Sequence, residues 1–155
     1  MKINIGALRL TSPDFEADGR LPDYATANGE GVSPPLSWSD APAETRSFAL
    51  VATDPDAPLI DGFDHWAVYD IPADVKELPK GGDPETGVQG VNGLGKNGWC
   101  PASPPPGHGQ HRYYFHLFAL DTVLGLKPGL TRAQVLAAID PHVLVQARLV
   151  GTYER

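Results

Sequence analysis

Cysteine is almost absent: one residue, Cys100, in a chain of 155. A single thiol makes no internal disulfide and no multi-cysteine metal site. No apolar run approaches the roughly 20 residues needed to cross a bilayer. The opening Met1-Lys2-Ile3-Asn4-Ile5 also lacks the apolar stretch of a secretory signal. The expectation is a soluble, cytoplasmic protein with no integral membrane association. Basic residues are few, 12 against 19 acidic for a net charge of -7, and they form no cluster. A nucleic-acid backbone or an anionic membrane surface needs concentrated positive charge, so neither is an expected partner. Any bound anion must be held locally by a few aimed donors. Neither a Gly-x-Ser-x-Gly nor a serine at a recognisable strand-to-helix turn is present, so a serine hydrolase finds no support.

What the chain has in quantity is glycine and proline, 17 and 16 residues. They follow no period and alternate with apolar runs, a pattern of many strands joined by tight turns. At this length the chain fits one domain, residues 1–155, able to bury about two-thirds of its unfolded surface. Ile3 to Leu10 reads as an early strand, and Leu36-Ser37-Trp38 as a short one. Arg46 to Thr53 and His65 to Ile71 are continuous apolar runs bounded by proline, as in central strands buried on both faces. Pro79 to Gly109 is long and irregular, which in a compact domain usually marks function. Arg112 to Leu120 is the longest strand signal, and Val143 to Tyr153 returns to the sheet. One short helix stands out near 131–140: Thr131 with Gln134 makes a capping box, Val135, Leu136 and Ile139 make a buried stripe, and Pro141 ends it.

Two segments carry the chemistry. Asp54-Pro55-Asp56-Ala57-Pro58 follows an apolar strand, and its prolines restrict the backbone that holds both carboxylates. Read alone it is an ordinary solvated turn. His111 and Tyr113 sit two apart on a strand at the mouth of Pro104-Pro105-Pro106-Gly107-His108-Gly109-Gln110, so they share one face while Arg112 takes the other. An imidazole and a phenol on one face can both donate to a small anion, and Asp54 or Asp56 could fix the histidine tautomer. The alternative is a buried histidine satisfied by a backbone carbonyl. His65, at the head of Trp66-Ala67-Val68-Tyr69, is the natural third member. Arg112 reads as a structural partner for an acidic group on the opposite face, and His116 and His142 as structural. His108 and His111 form an HxxH pair, but in a Gly/Pro loop rather than on a helix, which is weak as a metal signal. Cys100 beside Pro101 has no cue for activation. No metal and no cofactor are expected.

Together these segments resemble the phosphatidylethanolamine-binding protein family, in its short bacterial and archaeal, Raf-kinase-inhibitor-like branch. The likeness runs through Ser12-Pro13-Asp14-Phe15, Gly19 to Tyr24, Ser33 to Trp38, Ser47 to Leu50, Asp54 to Pro58, His65 to Tyr69, His111-Arg112-Tyr113 and Gly151-Thr152-Tyr153. The resemblance implies a mostly-β sandwich of two antiparallel sheets with Greek-key connections. It also implies a small anion pocket lined by Asp54, Asp56, His65, His111 and Tyr113, for a phosphate-bearing ligand such as a phospholipid headgroup. A protein partner, such as a kinase or protease regulated at the pocket mouth, is the alternative role, and members of this size are often homodimers. The chain departs from the pattern at Pro101, where glycine is usual, at Asn92-Gly93, where Asn-Asp is common, and at Pro141-His142 in place of Gly-His. A hydrolase built from the Asp and His residues is the weakest reading, since no nucleophile or ligand spacing supports it.

Overall fold

The computed structural model describes residues 6–155. In chain order its elements are β1 (Arg9–Thr11), β2 (Leu36–Ser39), β3 (Ser47–Asp54), β4 (Phe63–Pro72), β5 (Glu77–Leu78), β6 (Val88–Gln89), β7 (His111–Leu120), α1 (Arg132–Ile139) and β8 (Val143–Tyr153). A small sheet runs β1-β2-β5 and a larger one β6-β4-β3-β7-β8, with antiparallel pairing throughout. Strands β3, β4 and β6 lie side by side, and β7 returns to the far side of β3. That 4-1-2-3 order is the Greek key. The connection from β6 to β7 must therefore cross the end of the large sheet, and the candidate site forms there.

The apolar runs at residues 48–52 of β3 and 117–120 of β7 follow from the large sheet being covered on both faces there. Phe48, Leu50, Ala52, Phe115 and Leu117 join Leu10, Leu36, Trp38 and Leu78 in the core between the sheets. Ala49, Val51, Phe118 and Leu120 face the other way and pack with Val135 and Ile139 of α1. Alternation is present, but both faces are apolar. The capping box holds: Thr131 Oγ1 accepts from the Gln134 N–H at 3.2 Å, and Gln134 Oε1 accepts from the Thr131 N–H at 3.0 Å.

Strand β4 departs twice from simple pairing. Phe48 opposes Ile71 but Leu50 opposes Val68, and Ala52 opposes Trp66 but Thr53 opposes Asp64. Each shift adds one residue to β4. At the first, Asp70 is left-handed (φ 49°), and its carboxylate accepts from the Leu124 and Leu126 N–H groups at 2.9 and 2.7 Å. The second inserts His65.

Two strand starts differ by more than one residue from the sequence reading. The early strand covers Arg9–Thr11 rather than Ile3 to Leu10, of which Ile3 to Ile5 lie outside the described residues. Strand β4 begins at Phe63, so His65 lies inside it and not at its head. No helix among the described residues is long and apolar enough to cross a membrane.

Candidate functional site

Four of the five expected residues converge on one cleft of about 570 Å³ at the end of the sandwich: Asp54, His65, His111 and Tyr113. Asp54 is the last residue of β3 and is buried with His111, the first residue of β7. Its Oδ1 accepts from the Asp56 N–H at 2.8 Å, and its Oδ2 lies 2.6 Å from His111 Nδ1. A carboxylate only accepts, so Nδ1 of His111 carries the proton. The opposite ring nitrogen, Nε2, lies 2.6 Å from His108 Nδ1. Both nitrogens of His111 are thus engaged within the protein.

The β-bulge at His65 turns its ring toward the same space as Tyr113, the re-aiming that bulges perform beside functional sites. His65 Nδ1 donates to the Cys100 carbonyl at 2.7 Å. Its ring meets Phe63, Tyr113 and Trp99 at centroid distances of 4.9, 5.2 and 5.7 Å. Burial lowers its pKa below the ordinary imidazole value, a trend the Cys100 carbonyl and the charge of Asp54 oppose. The neutral ring therefore keeps Nε2 as an acceptor until a nearby anion favours protonation.

Tyr113 is 1% exposed, and its hydroxyl has no hydrogen-bond partner among the described residues. Burial, with the negative charge of Asp54 behind it, raises its pKa well above the usual phenol value. The group is a fixed, protonated O–H donor. A buried orphan hydroxyl costs free energy unless something accepts from it.

Asp56, expected in the pocket, lies outside it. Its carboxylate accepts three hydrogen bonds from Arg112: from the backbone N–H at 2.8 Å, Nε at 3.0 Å and Nη2 at 2.9 Å. The guanidinium holds the Asp56 carboxyl below its ordinary pKa. Strand alternation puts Arg112 opposite to His111 and Tyr113, and Asp56 goes with it. The pair clamps the Asp54–Pro58 turn onto β7 from outside.

The walls are apolar: Ala57, Pro58, Leu59, Phe63, Leu94 and Pro101 among them. Phe63 and Leu94 carried no sequence signal of this role. Gly93 explains Phe63, since a Cβ at Gly93 would stand 2.5 Å from Phe63 Cε2. Where the resemblance leads one to expect a carboxylate, an aromatic ring fills the space and packs edge-on to His65. Asn92 is structural, its Oδ1 accepting from the Leu94 N–H at 2.9 Å and its Nδ2 donating to the Gly98 carbonyl at 3.0 Å. The loop before β7 is held by Trp99, stacked on Phe115 at 6.0 Å, and by Arg155. The guanidinium of Arg155 donates to the Pro104 carbonyl at 2.7 Å and to Ser103 Oγ at 3.0 Å.

Cys100 is buried and its thiol is pushed up by that burial; the residue contributes its carbonyl. His142 pairs with Asp121 at 2.9 Å, and His116 lies half-buried on the Arg112 face, both remote from the cleft. Among the described residues no group of three or more His, Cys, Asp or Glu side chains is arranged to hold a metal ion.

The fold and this cleft define a β-sandwich binding protein with an apolar-walled pocket over a floor of Asp, His and Tyr. The profile of the family described as phosphatidylethanolamine-binding protein matches residues 11–154, and the chain belongs to that family. A UPF0098 protein of Methanothermobacter thermautotrophicus is 43% identical over 153 residues, covering 96% of this chain and 99% of the relative. The crystal structure of CT736 from Chlamydia trachomatis, a phosphatidylethanolamine-binding protein homologue, superposes with a TM-score of 0.90 at 42% identity, covering 96% of this chain and 98% of that one. YbcL of E. coli, described as a member of the mammalian PEBP family, gives 0.89 at 32% identity with the same coverage.

Proposed function

We propose that the cleft binds a small phosphate-bearing ligand and that the protein works as a binding protein without turnover. The observation that carries this reading is the Tyr113 hydroxyl, a buried O–H donor with no partner among the described residues, beside His65 under apolar walls. A phosphate oxygen accepts from Tyr113. Its charge favours protonation of His65, which turns Nε2 into a second donor. Binding therefore takes up a proton and tightens as pH falls. The apolar walls suit the organic part of a phosphate ester and favour a headgroup over bare phosphate. Among the described residues no activated nucleophile faces the floor: the Cys100 thiol is buried, and that burial pushes its pKa up.

The test is an NMR titration with phosphorylethanolamine and, separately, inorganic phosphate, following the histidine side chains and Tyr113. Saturable shifts at His65 and Tyr113, lost in His65→Ala, are expected, with the ester binding more tightly. No shift at millimolar ligand overturns the reading.

A second reading rests on the rim. Leu59, Ile60 and Leu94 are 59%, 101% and 63% exposed, and Leu59 and Leu94 line the cleft. Exposed aliphatic side chains beside a pocket mouth favour a protein partner that lays a phosphorylated or acidic segment into it. Binding of a phosphopeptide that Leu59→Ser weakens, while free phosphorylethanolamine binding is unchanged, would select this role.

A further inference from the structure

His108 lies outside the cleft, yet it decides what the cleft can do. His111 donates from Nδ1 to Asp54, so its Nε2 is the one ring atom it could offer a ligand, and that atom is held 2.6 Å from His108 Nδ1. The two rings meet edge to face with centroids 4.9 Å apart. When His111 is neutral, Nε2 accepts the His108 N–H; when His111 is protonated, the donation reverses. In either state the position a ligand oxygen would take on His111 is filled by an imidazole of the same chain.

The loop carrying that imidazole is built to let go. Gly107 and Gly109 flank His108 at φ 76° and 91°, and neither has an atom within 4 Å of where a Cβ would stand. The His108 side chain is exposed, and the backbone ties are single bonds, from the His108 N–H to the Pro105 carbonyl and from the Gly107 N–H to the Arg155 carbonyl, both at 3.1 Å. Swinging His108 away breaks no packed contact of the core.

We propose that His108 is a displaceable latch on the anion pocket: it and the bound anion compete for Nε2 of His111, so His108 sets the affinity of the site from outside it. The inference rests on the reading of the cleft as an anion site. A bound anion oxygen accepts from a protonated His111 Nε2, joining Tyr113 and His65, while His108 turns to solvent. The groups facing His111 are Asp54 from β3, His65 from β4, Tyr113 on its own strand and His108 from the loop, with Asp56 of the adjoining turn within electrostatic reach.

The direction of the effect separates this from an ordinary ligand role. If His108 were a further anion contact or a supporting positive charge, its removal would weaken binding. A competitor's removal tightens it. Inorganic phosphate titrated by calorimetry into wild type, His108→Ala and His111→Ala should show His108→Ala binding about 2- to 10-fold more tightly, the range of one hydrogen bond no longer in competition. His111→Ala should bind more weakly than wild type. Equal or weaker binding by His108→Ala overturns the latch while leaving the anion pocket standing. No binding by any of the three proteins at tens of millimolar phosphate overturns the pocket and the latch together. His108 is exposed, so the variant folds, and an unchanged thermal midpoint verifies it.

Discussion

Replacing Tyr113 by Phe removes one oxygen atom and separates two quantities that usually move together. The ring is buried in the core and meets His65 edge-on at 5.2 Å, contacts that Phe keeps. The lost hydroxyl has no partner among the described residues. A buried polar group left unpaired costs about 1–3 kcal/mol, so its deletion relieves a penalty instead of breaking a bond. Taking the lower end because the group borders a cleft, the ligand-free variant should gain about 1 kcal/mol, or about 2–4 °C in Tm for a chain of this size. Phosphate binding should move the other way. A hydrogen bond to a charged group contributes about 1.5–3 kcal/mol, so affinity should fall by between about tenfold and about a hundredfold. Urea and thermal denaturation without phosphate, together with calorimetric titration, measure both. A destabilised variant would mean that the hydroxyl has a partner in the folded protein. An unchanged affinity would remove Tyr113 from the anion site, and with it the observation on which the functional reading stands.

Acidification tests His65. Burial holds its folded pKa below the unfolded value of about 6.5, so below that pH the unfolded chain takes a proton the folded one refuses. This contribution to stability is therefore intact at about pH 7 and lost as pH falls through about 6.5 toward the folded value. Urea midpoints across that window should drop, less so in His65→Gln and less so with phosphate present; a flat wild-type profile contradicts the assignment. Gly93→Asp, which restores the residue the family pattern leads one to expect, should destabilise by about 1–3 kcal/mol, because its Cβ would meet the Phe63 ring at 2.5 Å. The same change in a Phe63→Ala background should cost much less, and equal costs in the two backgrounds would refute the steric account.

The parts of this molecule that could be read in its sequence are those where one local rule decides the outcome. Thr131 and Gln134 announce the helix start because a capping box is a contact between neighbours. His111 and Tyr113 share a face because strand alternation leaves no other arrangement, and the same rule sends Arg112 outward to an acidic partner. That this partner is Asp56 needed the third dimension. Asp54 and Asp56 cannot be told apart by sequence rules, two carboxylates in one turn, Asp54 followed by Pro55 and Asp56 by Ala57 and Pro58. The structure divides them, because Asp54 ends β3 on the His111 side and the turn carries Asp56 past the strand edge to Arg112. His65 reads as a strand head because the four residues after it, Trp66 to Tyr69, are uniformly apolar; a bulge that inserts one residue into β4 before them leaves no mark in such a run. Phe63 was invisible for the same kind of reason, since its place in the wall depends on the missing side chain at Gly93, 30 positions away. The HxxH pair shows the converse. It is real as a contact between rings, but it arises from a glycine-flanked loop folding back on a strand, so the helical spacing that gives the pattern its usual metal-binding meaning does not apply. In this fold the floor of the pocket is written in strand periodicity, while its walls and its control lie in loops whose partners only the assembled sandwich brings together.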